Sequence, residues 1–189
     1  MKIILNMLKF WLPLAAAITL FCGLLYTVAQ QSYRMDANDP QIQMAEDTAR
    51  ALQSGGTAGL LVPSEKIDIA QSLAPYLIIY GSNGQPVVSN ALLHGQIPTI
   101  PAGIFDYTRK NGEDRVSWQP EPGVRSAAVI VPVSGGKGGF VLAGRSLREV
   151  EIRESNLTYM VEIGWLVTIL ASLVVVGLFE ILPFTRSQK

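Results

Sequence analysis

Hydrophobic residues crowd the two ends of the chain and alternate with polar ones between them. From Phe10 to Tyr33 no Asp, Glu, Lys, Arg or His interrupts the sequence, a run of about 36 Å as a helix at about 1.5 Å per residue. A second charge-free run extends from Ile163 to Phe179, between Glu162 and Glu180. It reaches spanning length if Tyr159 to Glu162 and Ile181 to Leu182 lie in the interfaces. A lone carboxylate at the centre of a bilayer costs about 2.5–3.5 kcal/mol on insertion scales, so Glu162 and Glu180 are expected to mark membrane edges.

The middle carries shorter periods. Asp39 can cap a helix that Pro40 opens. Ile42, Ala45, Ala49 and Leu52 then form one apolar stripe, and Gly55-Gly56 stops it. A short helix is predicted over Ser64 to Leu73, with Ser64 as cap. Tyr76 to Gly81 and Pro86 to Ser89 read as a hairpin around the Asn83-Gly84 pair, which suits a turn with positive φ. Pro101 to Lys110 reads as a helix ended by Asn111-Gly112. Arg115 to Gln119, Val124 to Val133 and Gly139 to Arg145 read as strands. Ser146 and Glu149 fit a capping box, opening a helix at Leu147 that nothing breaks before Glu162. The expectation is an α+β domain around a five-stranded antiparallel sheet, with long helices at its entrance and exit.

The organisation that follows has five parts: a cytoplasmic tail at residues 1–9, a transmembrane helix at 10–33, an extracytoplasmic domain at 34–158, a second transmembrane helix at 159–182 and a cytoplasmic tail at 183–189. Lys2, Lys9, Arg186 and Lys189 place both tails inside, because short loops and tails govern orientation. A cleaved signal peptide is the competing reading of the first segment, since Thr27-Val28-Ala29 loosely resembles a cleavage site. The apolar run is longer than a signal's usual core.

Net charge is +0 with acids and bases interspersed, which gives no basic stripe for nucleic acid. Cys22 is the one cysteine, so neither an intrachain disulfide nor a multi-thiolate metal site can form. Ser134 to Gly139 superficially resembles a phosphate loop, but Val131 and Gly138 stand where Gly and Ser or Thr are needed. His94 is the single histidine and reads as a surface-loop residue. Its sequence proximity to Ser82 and Ser89 does not supply the geometry of a nucleophile and base. Glu113 and Asp114 are neighbours that point apart on a strand. No catalytic residue, metal ligand or cofactor is assigned.

Taken together, Ala37-Asn38-Asp39-Pro40-Gln41, Tyr80-Gly81-Ser82-Asn83-Gly84-Gln85-Pro86-Val87, Trp118-Gln119-Pro120 and Gly144-Arg145-Ser146-Leu147-Arg148-Glu149-Val150-Glu151 resemble extracytoplasmic sensor regions of bacterial membrane histidine kinases. The resemblance implies a PAS-like or Cache-like fold between two spans in the bacterial inner (cytoplasmic) membrane. The family pattern would continue into a kinase, whereas here Pro183 to Lys189 follows the second span. In such sensors a small ligand sits between sheet and helical insert, which would put Tyr107, Arg109, Arg115, Trp118 and Arg125 at the site as an aromatic wall and carboxylate-binding guanidinium groups. Small residues recur every four positions at Ala15, Thr19, Gly23 and Thr27, and at Gly164, Thr168 and Ser172, as faces for helix packing. The expectation is a non-catalytic accessory of another membrane protein, possibly a signalling kinase, with homodimerisation and a small-molecule ligand as further partners. The alternative is a structural or assembly subunit of an envelope membrane complex that binds no small ligand.

Overall fold

The structure, a computed structural model, describes residues 2–36, 39–135 and 138–181. It divides into two compact units. One gathers the chain up to Tyr33 and from Arg153 onward, and the other is Arg34–Ile152. In chain order the elements are α1 (Lys2–Asp36), α2 (Asp39–Gln53), α3 (Ala58–Leu61), β1 (Ile67–Asp68), β2 (Tyr76–Tyr80), β3 (Pro86–Ser89), β4 (Ala91–Leu92), α4 (Ala102–Asn111), β5 (Asp114–Glu121), β6 (Val124–Pro132), β7 (Phe140–Ser146) and α5 (Arg148–Ile181).

The central unit is α+β. Its five-stranded sheet has the order β3-β2-β7-β6-β5 and every pairing is antiparallel. The Asn83-Gly84 turn closes the first hairpin: Gly84 has φ +75°, and its N–H donates to the Gly81 carbonyl at 2.9 Å.

Period two sorts the sheet into two apolar faces. Leu77 and Ile79 of β2, Val129 and Val131 of β6, and Val141 and Ala143 of β7 face α2, which lays Ala45 and Ala49 against them. Ile42 and Leu52 extend the contact, so the predicted stripe is the packed one. Small side chains on α2 let its backbone approach the strands closely.

The other face carries Tyr76, Ile78, Tyr80, Ile130, Phe140 and Leu142, with Phe105 of α4 packed on it. Gly144 is opposite Tyr76 in the β2–β7 register, and a Cβ there would stand 2.3 Å from the tyrosine Cζ. The tyrosine ring therefore occupies the space that glycine leaves. α4 ends where expected: Gly112 is left-handed at φ +82° and its N–H donates to the Thr108 carbonyl at 2.8 Å.

Two local expectations are corrected. Ser64 to Leu73 is not a helix. Ile67 and Asp68 instead form a parallel two-stranded sheet with Ala91 and Leu92. The Ile67 and Ile69 N–H groups donate to the Asn90 and Leu92 carbonyls at 2.7 and 2.9 Å, and extended backbone puts both isoleucines into the same core. At the start of α5 the Ser146 hydroxyl accepts from the Arg148 N–H at 3.3 Å, and the reciprocal Glu149 bond of a capping box is not formed among the described residues. Ala37, Asn38, the Asp39 side chain, Gly136-Lys137 and residues 182–189 lie outside the described set.

Candidate functional site

Strand parity separates the five residues expected at a ligand site. Arg115 and Trp118 are three apart on β5, so they point to opposite faces. Trp118 is buried in the core on the α4 side, opposite Ser126. Arg115 is exposed on the α2 side and pairs with Glu113. Arg125 also belongs to the α2 side, where it pairs with Glu151 at the head of α5.

Tyr107 and Arg109 lie on α4. Tyr107 is exposed. Arg109 donates to Asp106 at 2.9 Å and sits 5.2 Å from the Phe140 ring centroid, over an aromatic cluster in which the Phe105 ring lies 5.0 Å from Tyr80 and 4.9 Å from Phe140. Its cation therefore caps packed rings.

A cleft of about 660 Å³ in this unit is bordered by Leu52, Gln53, Ile79, Ser82, Asn83, Val87 and Val133, and among the described residues no charged side chain lines it. A smaller one, about 150 Å³, lies between the hairpin and the start of α4, against Tyr80, Asn83, Thr99 and Phe105. None of the five candidate residues lines either cleft. Among the described residues, no three or more His, Cys, Asp or Glu side chains gather to hold a metal.

Buried polar groups mark the interior. Burial drives the Tyr76 hydroxyl far above the ordinary phenol range. Neighbouring Ser126 offsets little of this, because the two lack the geometry of a hydrogen bond and both hydroxyls are unpartnered. Burial raises the Tyr80 hydroxyl too, and it is likewise unpartnered. Asn90 is satisfied: its Oδ1 accepts from the Leu77 N–H at 2.7 Å and its own N–H donates to the Leu77 carbonyl at 3.2 Å. At the surface, His94 has φ +51° and its Nε2 lies 2.8 Å from Glu121 Oε2. The hydrogen bond to Glu121 raises the imidazole pKa above its usual value.

The two terminal helices form a different kind of structure. Both are long and apolar enough to cross a membrane. They pack antiparallel along a seam of half-buried α1 positions that includes Leu8, Trp11, Ala15, Ile18, Cys22, Tyr26 and Ala29, at spacings of three and four. The Trp11 indole donates to Ser172 Oγ at 3.0 Å and the Trp165 indole donates to Thr19 Oγ1 at 2.9 Å. The Tyr26 hydroxyl meets Thr158 Oγ1 at 3.1 Å. Each acceptor hydroxyl spends its own hydrogen on a carbonyl of its own helix, Ile169, Ala15 and Glu154 respectively, so Tyr26 is the donor in the third pair.

Of the small residues expected to pack, Thr19 and Ser172 serve the seam as hydroxyl acceptors and Ala15 is half-buried on it. Thr27 and Thr168 bond back to Gly23 and Gly164 of their own helices. A Cβ on Gly23 or Gly164 would meet nothing within 4 Å. Steps of four residues drift about 40° around a helix with 3.6 residues per turn, which carries Gly23 and Thr27 off the seam. At Gly177 a Cβ would lie 3.6 Å from Met7 Sδ, an ordinary van der Waals contact with the facing helix. A cleft of about 340 Å³ remains between the helices, lined by Thr19, Cys22, Gly23, Tyr26, Thr158, Val161, Glu162 and Trp165.

The class these features define is an α+β domain attached to two long apolar helices, an arrangement that fits a two-pass membrane protein. No protein-family model, curated protein or solved structure matches the chain.

Proposed function

We propose that this protein resides in the bacterial inner (cytoplasmic) membrane, with a PAS-like or Cache-like domain on the extracytoplasmic side. It acts without catalysis as an accessory or regulatory partner of another membrane protein, a signalling kinase among the candidates. The carrying observation is an ordered α+β domain whose chain passes at both ends into helices long and apolar enough to span. The adjacency of β2 and β7 at the sheet centre, with α2 on one face and α4 on the other, supports a sensor-like fold.

The head of α5 is tied to the domain by three contacts. The Leu147 N–H donates to the Arg125 carbonyl, Arg148 donates to the Gln71 carbonyl at 3.0 Å, and Arg125 pairs with Glu151. A displacement of β6 would therefore pull on α5, which is the physical route by which a ligand or load would shift one terminal helix against the other.

A second reading, a structural or assembly subunit without a small ligand, is favoured by the separation of the candidate arginines between the α2 face of the sheet and α4. The test is purification of the full chain from native membranes in mild detergent, with mass spectrometry of what remains bound. A variant with bulky residues at Gly23 and Gly164 serves as control. A stoichiometric membrane partner lost in that variant supports the accessory reading, and recovery of the bare protein across detergents overturns it.

A further inference from the structure

The charge-free runs of the two terminal helices are out of step. Trp11–Ser172, Thr19–Trp165 and Tyr26–Thr158 fix the antiparallel register, and this places Glu162 beside Cys22 in the cleft between the helices. Cys22 lies at the middle of the run from Phe10 to Tyr33, while Glu162 immediately precedes the run from Ile163 to Phe179. The midpoints of the runs are thus offset by about 13 Å along the pair, at about 1.5 Å per residue.

No placement of a bilayer satisfies both helices. Centred on the α1 run, it immerses the Glu162 carboxylate. Centred on the α5 run, it leaves Leu24, Leu25 and Val28 in water, each more than half exposed. Glu162 has no hydrogen-bond or ion-pair partner among the described residues. An ionisable group at membrane depth requires a partner charge or a polar cavity.

We infer that the cleft seats a transmembrane helix of a different membrane protein, one that carries Lys or Arg at the depth of Glu162. Its cation would neutralise the carboxylate in a bilayer centred on the α1 run. The floor beside Gly23 is open, since a Cβ there meets nothing within 4 Å. A second copy of this chain docked symmetrically would bring another carboxylate to the same depth, so charge selects against self-pairing here. This inference rests on the accessory reading above and specifies the chemistry of its partner.

The test places a photo-reactive phenylalanine derivative at Tyr26, an aromatic of similar size that lines the cleft, in the full-length protein in native membranes, and a second one at Val87 on the exposed edge strand. The expected adduct from position 26 is a transmembrane peptide of another protein containing Lys or Arg. Its yield falls at least ten-fold in E162Q and is retained in E162D, where the carboxylate persists. An adduct indifferent to E162Q, lost in E162D as well, formed with a second copy, or formed only with lipid overturns the inference. A partner that still cross-links from Val87 while position 26 captures no protein removes the inference and leaves the accessory reading standing. No protein adduct from either position removes both.

Discussion

The central domain and the helix pair both pack aromatic side chains that carry a polar atom, fully buried in the domain and half-buried or exposed in the helix pair, but they treat that atom in opposite ways. In the domain, the Tyr76 and Tyr80 hydroxyls are enclosed without partners. In the helix pair, Trp11, Trp165 and Tyr26 each donate across to a Ser or Thr hydroxyl. The solvents of the two-pass arrangement proposed above, water for the domain and lipid for the helix pair, account for the difference. In water, burying a tyrosine ring is favourable enough to carry an unsatisfied hydroxyl that costs about 1–3 kcal/mol. In lipid, side chains gain nothing by leaving one apolar medium for another, so packing and directional bonds must choose the partner face. The domain is specified by shape, and the helix pair by polar contacts in register.

The strongest way to break the comparison is to attack shape in the domain. G144A places a methyl group inside the Tyr76 ring and is expected to cost about 3 kcal/mol, read by denaturant unfolding of the detergent-purified full chain. Most of that cost should vanish in a Y76A background, because the two residues share one space. A cost that persists there would mean that Gly144 is required for backbone reasons instead.

Removing hydroxyls sharpens the contrast. Y76F is expected to be neutral or stabilising by about 1 kcal/mol, since the atom it deletes has no partner. Y26F deletes a bonded donor and should weaken the helix pair by about 0.6 kcal/mol, measured by detergent-driven separation of the helices. Equal effects of the two substitutions would refute the solvent argument.

The smallest effect belongs to His94. Its folded-state pKa is raised by Glu121, so the stabilisation is fully present below the unfolded value of about 6.5 and is lost as pH rises through the folded value. The thermal midpoint of the wild type should fall more between pH 6 and pH 8.5 than that of H94A. Parallel profiles would show that the pair contributes nothing, as many exposed pairs do.

Most of the sheet was legible because its signals are local. Asn83-Gly84 marks a turn, Gly112 marks a helix stop, and the Ile42, Ala45, Ala49 and Leu52 stripe names the packed face of α2. The β1–β4 pair was not legible: two-residue strands have no period, and their bonds run through backbone groups of Ile67, Asn90 and Leu92. The division of Arg115 from Trp118 could have been read from parity alone, since residues three apart on a strand cannot share a face. Of the small residues that repeat every four positions, Ala15, Thr19 and Ser172 lie on the helix seam, while Gly23 and Thr27 drift off it because the packed positions repeat at three and four. The offset of the apolar runs required the register, which no single helix contains.

The seam also has a consequence for biogenesis. Trp11 and Ser172 are separated by 161 residues, so at a synthesis rate of about 5–20 residues per second the first helix waits roughly 8–32 s before its partner emerges. In the two-pass arrangement proposed above, the indole and hydroxyl groups of α1 would face the bilayer or the insertion machinery unaided through that interval. A first helix that must survive alone needs a long uncharged stretch, and Phe10 to Tyr33 supplies it. The second helix arrives with a partner already in place and can afford a shorter one.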